Sequence, residues 1–488
     1  MTRAERVGHW KVGTAESIER RLPAFYFVFA LLLTSVLCWT TPPFFGPDEP
    51  SQSLRALALL HGEILPRMGA DQAGGEVDTG AVHAMDAMDS IRMRWEPQSP
   101  DFHDRRYGPV SVEAQARWAD VRWSGEKRIA GFGNTATYPP GLYLPAMAGW
   151  KVAEAANLTI FASLRLARWL TAFTAALLGW LALRWSGRGA WMLLPALLLP
   201  SELFLQATCS QDALLLPVAA LGVALICRAL NERRGLGDGE LALAAVLFAL
   251  CAMAKPPFAA LGVIIFVPAV ELKEWGWKLW LKHAASFTAL VVACAAWWHL
   301  VARFGMDTAD EADPARQVAF LASHPIAASL AIGRGTAEAA WDFVHRGLYV
   351  VGWNDLLPHH GAALVLSVCL LVIAWRAPSV GVRSWRARIL ILIAVIVPLI
   401  GISIAEYLIW TPPGLRTVYG VQPRYWLPVL PAMMLLVTSR RRREELGAEW
   451  LLPVATILLA CVACTLPWME ASAFYRAGLM QAVRINLR

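Results

Sequence analysis

Twelve apolar runs of fifteen or more residues divide this chain, and they limit its fold more than any motif does. They lie at 22–40, 139–156, 162–183, 190–208, 212–229, 240–254, 257–271, 284–303, 359–375, 389–410, 425–439 and 450–468. Bilayer hydrocarbon is about 30 Å thick, so a run of about 17 to 25 residues is what a crossing helix needs. Backbone polar groups in lipid must bond within their own segment, which leaves helices or closed barrels, and the alternating strands of a barrel are absent. A soluble chain would be about 25% charged. This one is 17% charged and 57% hydrophobic with a mean hydropathy of +0.45, so the sequence predicts an all-α polytopic membrane protein with about 11–13 transmembrane helices.

The net charge of +7 could suggest nucleic acid as a partner, but its distribution argues against that. Segment 41–138 holds ten Lys/Arg and fourteen Asp/Glu, so the basic surplus lies elsewhere. It sits between apolar runs, at Arg3, Arg6, Lys11, Arg20 and Arg21; Arg228, Arg233 and Arg234; Lys273, Lys278 and Lys282; Arg376, Arg383, Arg386 and Arg388; and Arg440 to Arg443. Clusters that flank spans mark the cytoplasmic side. The expected topology has a cytoplasmic tail at 1–21, an uncleaved first anchor, outward loops at 41–138 and 304–358, and an outward C-terminal tail at 469–488. Run 139–156 breaks the alternation unless it starts and ends on the outer side as a re-entrant or tilted element. All eight cysteines lie in or beside apolar runs, which gives no disulfide framework. Cys461 and Cys464, a C-x-x-C within one run, read as buried thiols. Trp at many run ends fits the interfacial belt.

Segments 41–138 and 304–358 far exceed the two to eight residues usual between packed helices, and loops of that length usually carry function. The first opens Thr41-Pro-Pro-Phe-Phe-Gly-Pro-Asp-Glu-Pro. Pro47 and Pro50 stiffen a turn that bears Asp48 and Glu49 beside the outer boundary. Such carboxylates suit a general base towards a hydroxyl, or a divalent metal held against a phosphate; the plainer reading is an acidic pair at a helix N-terminus. Ser51 is placed to cap that helix, whose Leu54, Leu57, Ala58 and Leu60 give it an apolar face for the membrane surface. Further ionisable groups flank other runs. Asp212 stands where two runs meet, as an N-cap or a site residue. Lys255, before Pro256 and Pro257, is a snorkelling or ligand-facing cation. Arg165 and Arg168 share a helix face, Arg424 ends a linker, and Glu406 lies within a run. Cations from separate segments converging on one side are what a lipid phosphate needs. His299, His345, His359 and His360 show no metal-ligand spacing.

Pro47-Asp-Glu-Pro with its helix, Tyr138-Pro-Pro-Gly-Leu-Tyr, Arg168, Ser210-Gln-Asp-Ala-Leu, Lys255-Pro-Pro and Val421-Gln-Pro-Arg-Tyr-Trp-Leu-Pro follow one another as in the bacterial membrane family catalogued as domain of unknown function 2142, which the chain resembles over roughly residues 22–440. That family resembles the GT-C membrane glycosyltransferases. The resemblance implies a GT-C-like domain over 22–468 and a sugar donor linked to a polyprenyl phosphate. It also implies a glycan, lipid or protein acceptor, membrane lipids as surroundings, and an active site facing the periplasm. Gln422-Pro423-Arg424-Tyr425 departs from the expected Gln-Gly-Arg-Tyr at Pro423. Under this reading Asp48 or Glu49 is the base or a metal ligand. Lys255, Arg168 and Arg424 neutralise phosphate, Asp212 orients a sugar hydroxyl, and Tyr138, Gln422 and Tyr425 complete the substrate site. No nucleotide-sugar signature occurs, so no nucleotide cofactor is expected. A transporter or flippase for a lipid-linked precursor is the competing expectation, and would instead place ionisable groups at the midplane of paired halves. A glycan polymerase or ligase differs mainly in acceptor.

Overall fold

The computed structural model describes residues 3–69, 72–92, 110–274, 276–304, 308, 311–352, 356–357, 359–437 and 450–487. The basic cluster at 440–443 lies outside them. Every apolar run is helical over most of its length, and the protein is an essentially all-α polytopic membrane protein. Six helices among the described residues are long and apolar enough to cross a bilayer: Ile18–Thr40, Ile160–Leu197, Asp212–Asn231, Trp277–Phe304, Trp385–Ile409 and Leu451–Tyr475. Pro256–Leu272 and His360–Arg376 are shorter.

Other apolar runs fall outside that set because their helices are shorter or because proline breaks them up. Run 190–208 breaks into Ala190–Leu197 and Pro200–Gln206, and run 425–439 starts as the 3-10 turn Pro423–Val429. In Pro256–Leu272 the first eleven residues are also 3-10. A 3-10 helix rises about 2 Å per residue against about 1.5 Å for an α-helix, so this short element still reaches about 31 Å.

The basic clusters around 228–234, 273–282 and 376–388 gather at one end of the bundle. There Lys282 Nζ meets Asp238 at 2.7 Å, Arg234 clamps Glu240, Asn231 Nδ2 donates to Ser186 O, and Ser384 N donates to Glu271. Thr40, Glu49, Tyr138, Asp212, Lys255 and Arg424 belong to the opposite end. Run 139–156 is the 3-10 turn Pro140–Tyr143 followed by Leu144–Ala155, about 26 Å in all and short of the about 30 Å of a bilayer core. It begins directly where segment 41–138 ends, and just beyond its far end Ile160 N donates to Val121 O of that same segment. It starts and ends on one side, which removes the break in alternation.

Segment 41–138 is a small α/β unit and not a loop with surface helices. Strands β1 (Arg67–Met68), β2 (Ala73–Asp78) and β3 (Lys127–Gly131) form an antiparallel sheet in that order, with Glu76 opposite Ile129. Glu49–Leu60 does not lie along the membrane surface. Its residues are buried on nearly every side, including Gln52 and Arg55. It also starts two residues before the expected Ser51 cap, with Asp48 in the N-cap position. Residues 469–488 are no free tail: Leu479–Leu487 folds back so that Asn486 Nδ2 donates to the Tyr475 hydroxyl and Gln115 Nε2 to Asn486. Cys461 and Cys464 are exposed on their helix, contrary to the buried-thiol expectation.

Candidate functional site

The turn after the first span places two adjacent carboxylates in different surroundings. Asp48 has φ 53°, a left-handed conformation that Asp tolerates better than most residues, and it turns the two side chains apart. Gly46 makes the seat possible, because a Cβ there would meet Thr208 Cγ2 at 2.6 Å. Glu49 is fully buried. Its Oε1 accepts from Arg168 Nε at 2.7 Å and Cys209 N at 2.8 Å, and its Oε2 from Arg168 Nη2 at 2.5 Å and Gly46 N at 3.0 Å. Four donors saturate the roughly four lone-pair sites of a carboxylate. Arg168 directs its remaining N–H groups to Thr41 O and Pro42 O, both at 2.9 Å, and to Cys38 O at 3.5 Å. Glu49 thus has no oxygen left to act as base or metal ligand, and Arg168 none of its cationic face for a phosphate. Both expectations are corrected: the two residues anchor the turn. Buried Glu470 extends the anchor by accepting from the hydroxyls of Thr40 and Thr41.

Asp48 points the other way. One oxygen accepts from Arg424 Nη2, and the other has no hydrogen bond among the described residues; the side chain is 21% exposed. Arg424 stands on the turn Pro423–Val429, where Pro423 occupies a first-turn position that its fixed φ suits, so the departure from Gly at 423 is accommodated. The guanidinium lies between two carboxylates, with Nε 3.5 Å from Asp212 Oδ2. Asp212 opens the helix Asp212–Asn231 but does not cap it, since Ser210 Oγ accepts its N–H. Arg424 Nε and Nη1, Asp212 Oδ1 and both amide atoms of Gln211 are buried without a hydrogen bond among the described residues. Buried polar atoms left so cost about 1–3 kcal/mol each, so hydrogen-bonding capacity stays unmet beside Arg424.

Lys255 completes the cluster. Pro256 stops the preceding helix, and the extended backbone of Lys255 sends Nζ over the Tyr425 ring, 3.8 Å from its centroid, and 5.8 Å from that of Tyr138. The Tyr425 hydroxyl lies 3.5 Å from Arg424 Nη2. Burial, reinforced by the charges of Asp212 and Asp48, pushes the Tyr138 hydroxyl well above its ordinary value and keeps it a neutral donor. Glu406, 8% exposed, is within electrostatic reach of Lys255, Arg424 and Asp48. Gln422 contributes its carbonyl, which accepts from Tyr425 N at 3.0 Å. Arg165 stays outside the cluster, 4.8 Å over the Trp39 ring.

Arg55 is a site residue that sequence reasoning missed. Buried in Glu49–Leu60, it donates from Nε and Nη2 to Tyr138 O at 3.0 and 2.7 Å, and it also holds Glu63 O and Ile64 O. Burial pulls its guanidinium down to about 10, still charged at neutral pH. A lone Arg on an otherwise apolar helix was the available signal. Gln211 and Glu470 were missed as well. Among the described residues no three His, Cys, Asp or Glu side chains converge as metal ligands. The proposed Asp48–Glu49 metal pair does not fit this geometry, since Glu49 is saturated and its neighbour faces Arg424.

The chain belongs to the family of predicted membrane proteins designated DUF2142, whose model matches residues 31–433. No curated protein matches it in sequence. Among solved structures, it is similar to the crystal structure of ArnT from Cupriavidus metallidurans bound to undecaprenyl phosphate. The two are 14% identical at a TM-score of 0.41, over 95% of this chain and 74% of that one.

Proposed function

We propose that the protein is a glycosyltransferase of the bacterial inner membrane. It moves a sugar from a polyprenyl-phosphate donor to an envelope glycan, lipid or protein acceptor on the periplasmic side, with inversion. The observation that carries this reading is the division of labour at the outer end of the bundle. Asp48 offers one open carboxylate oxygen, while Arg424 and Lys255 bring two cations to the same place. The acceptor hydroxyl attacks the anomeric carbon and gives its proton to Asp48. The bond from that carbon to the phosphate oxygen breaks, and its electron pair leaves with the phosphate. Lys255 and Arg424 balance the charge that develops there. Asp212, on the other side of Arg424, accepts a hydrogen bond from the sugar. A single displacement inverts the anomeric centre. The positive-inside rule puts the basic end in the cytoplasm and the site outside, where lipid-linked sugars present their phosphates.

The test is reconstitution in vesicles with a radiolabelled pool of polyprenyl-phosphate sugars. Label passing to acceptor supports the reading, with the rate lost in Asp48→Asn. Movement of the lipid across the bilayer without transfer would establish the flippase instead.

A further inference from the structure

We infer that a cavity at the basic end of the bundle holds the phosphodiester headgroup of an anionic membrane phospholipid. The cavity, about 350 Å³, is lined by Arg184, Trp185, Gly187, Arg228, Asn231 and Glu232. It opens where the helices Ile160–Ser186 and Asp212–Asn231 end side by side. At about 30 Å³ per water its volume is that of about twelve waters, room for a phosphate with its ester carbons. Asn231 Nδ2 donates to Ser186 O at 2.8 Å and ties the two helix ends together across the floor. Gly187, at φ 53°, keeps that floor open.

The charges select the occupant. Arg184 is exposed and has no ion pair or hydrogen bond among the described residues. Arg228 shares Glu232 with Arg234, at 3.1 and 2.6 Å, and lies 3.7 Å from Glu240, which Arg234 also holds. Segments 184–188 and 228–240 carry five arginines against the three carboxylates Glu232, Asp238 and Glu240. The two helix C-termini add about half a negative charge each, which leaves the region positive. Trp185, half-buried at the rim, belongs at headgroup depth. A basic cleft between spans with an aromatic rim, open at the membrane boundary, suits a lipid phosphate already anchored at that height. The consequence reaches across the bilayer: the same two helices carry Arg168 and Asp212 near their other ends, so a headgroup bridging Arg184 and Arg228 fastens together the elements that position the outer site.

The test is native mass spectrometry of the full chain released from nanodiscs of phosphatidylglycerol or phosphatidylcholine. It compares wild type with Arg184→Gln, which breaks no ion pair, and with Arg184→Gln/Arg228→Gln. The wild type should retain phosphatidylglycerol in preference to phosphatidylcholine. Arg184→Gln should lose about five-fold of that retention and the double variant more, with folded yield unchanged for the single variant. Equal retention of both lipids, or retention unaffected by Arg184→Gln, would overturn the inference. So would displacement of the lipid by millimolar inorganic phosphate, which would mean a site for free anions.

Discussion

Replacing Arg168 by Met tests the anchoring role of the Glu49 pair. The substitution keeps an unbranched chain of similar reach and removes two of the four donors to Glu49, leaving Gly46 N and Cys209 N against a carboxylate with no exposure. It also strips Thr41 O and Pro42 O of their guanidinium donors. An uncompensated buried charge costs about 3–5 kcal/mol, and the orphaned carbonyls push the value towards the upper limit. That is a large share of the about 5–15 kcal/mol that holds a typical fold together. Removing both charges in Glu49→Gln/Arg168→Met should recover about half of the loss, because the remaining pair is neutral. The assay is reversible unfolding in mixed micelles, followed by tryptophan fluorescence across the double-mutant cycle. A single-variant cost below about 1 kcal/mol, or a double variant as unstable as the sum of the singles, would refute the argument.

Arg55→Ala should destabilise the outer unit by about 2–4 kcal/mol by leaving the carbonyls of Tyr138, Glu63 and Ile64 without their donor; limited proteolysis of segment 41–138 would register it first. Tyr425→Leu removes the ring beneath Lys255 Nζ, an interaction worth about 1–2 kcal/mol when desolvated, and should raise the donor KM about ten-fold while the protein stays folded. The Glu240 carboxyl is held below its ordinary value by hydrogen bonds from Arg234. A depressed acid contributes stability above its unfolded value, about 4.3, and loses it as pH falls through the lowered one. Hydrogen exchange in residues 228–240 should therefore stay slow near neutrality and accelerate only below that range.

Much of this arrangement was legible in the sequence, and what was not has physical reasons. Helices followed from run length, and charged residues beside spans pointed to Asp48, Asp212, Lys255 and Arg424, because a charge near lipid needs a reason to be there. The opposite fates of Asp48 and Glu49 were invisible. They hang on the sign of one φ and on partners 119 and 376 positions away, at Arg168 and Arg424. The sheet of segment 41–138 escaped notice because Ala73–Asp78 contains two glycines and no alternation. Leu54, Leu57, Ala58 and Leu60 made Glu49–Leu60 look like a surface helix, whereas hydrogen bonding lets Gln52 and Arg55 be buried as well. Prolines within apolar runs break several of them into shorter helical pieces, which run length alone does not reveal.

The central claim is that Asp48 takes the acceptor proton while Glu49 only holds the turn. Its most direct test is the single-turnover rate of sugar transfer from a polyprenyl-phosphate donor by purified Asp48→Asn protein that is shown to be folded and to retain donor. The account predicts a rate at least about 100-fold below wild type, as expected on loss of a general base. Transfer by Asp48→Asn at the wild-type rate would contradict it.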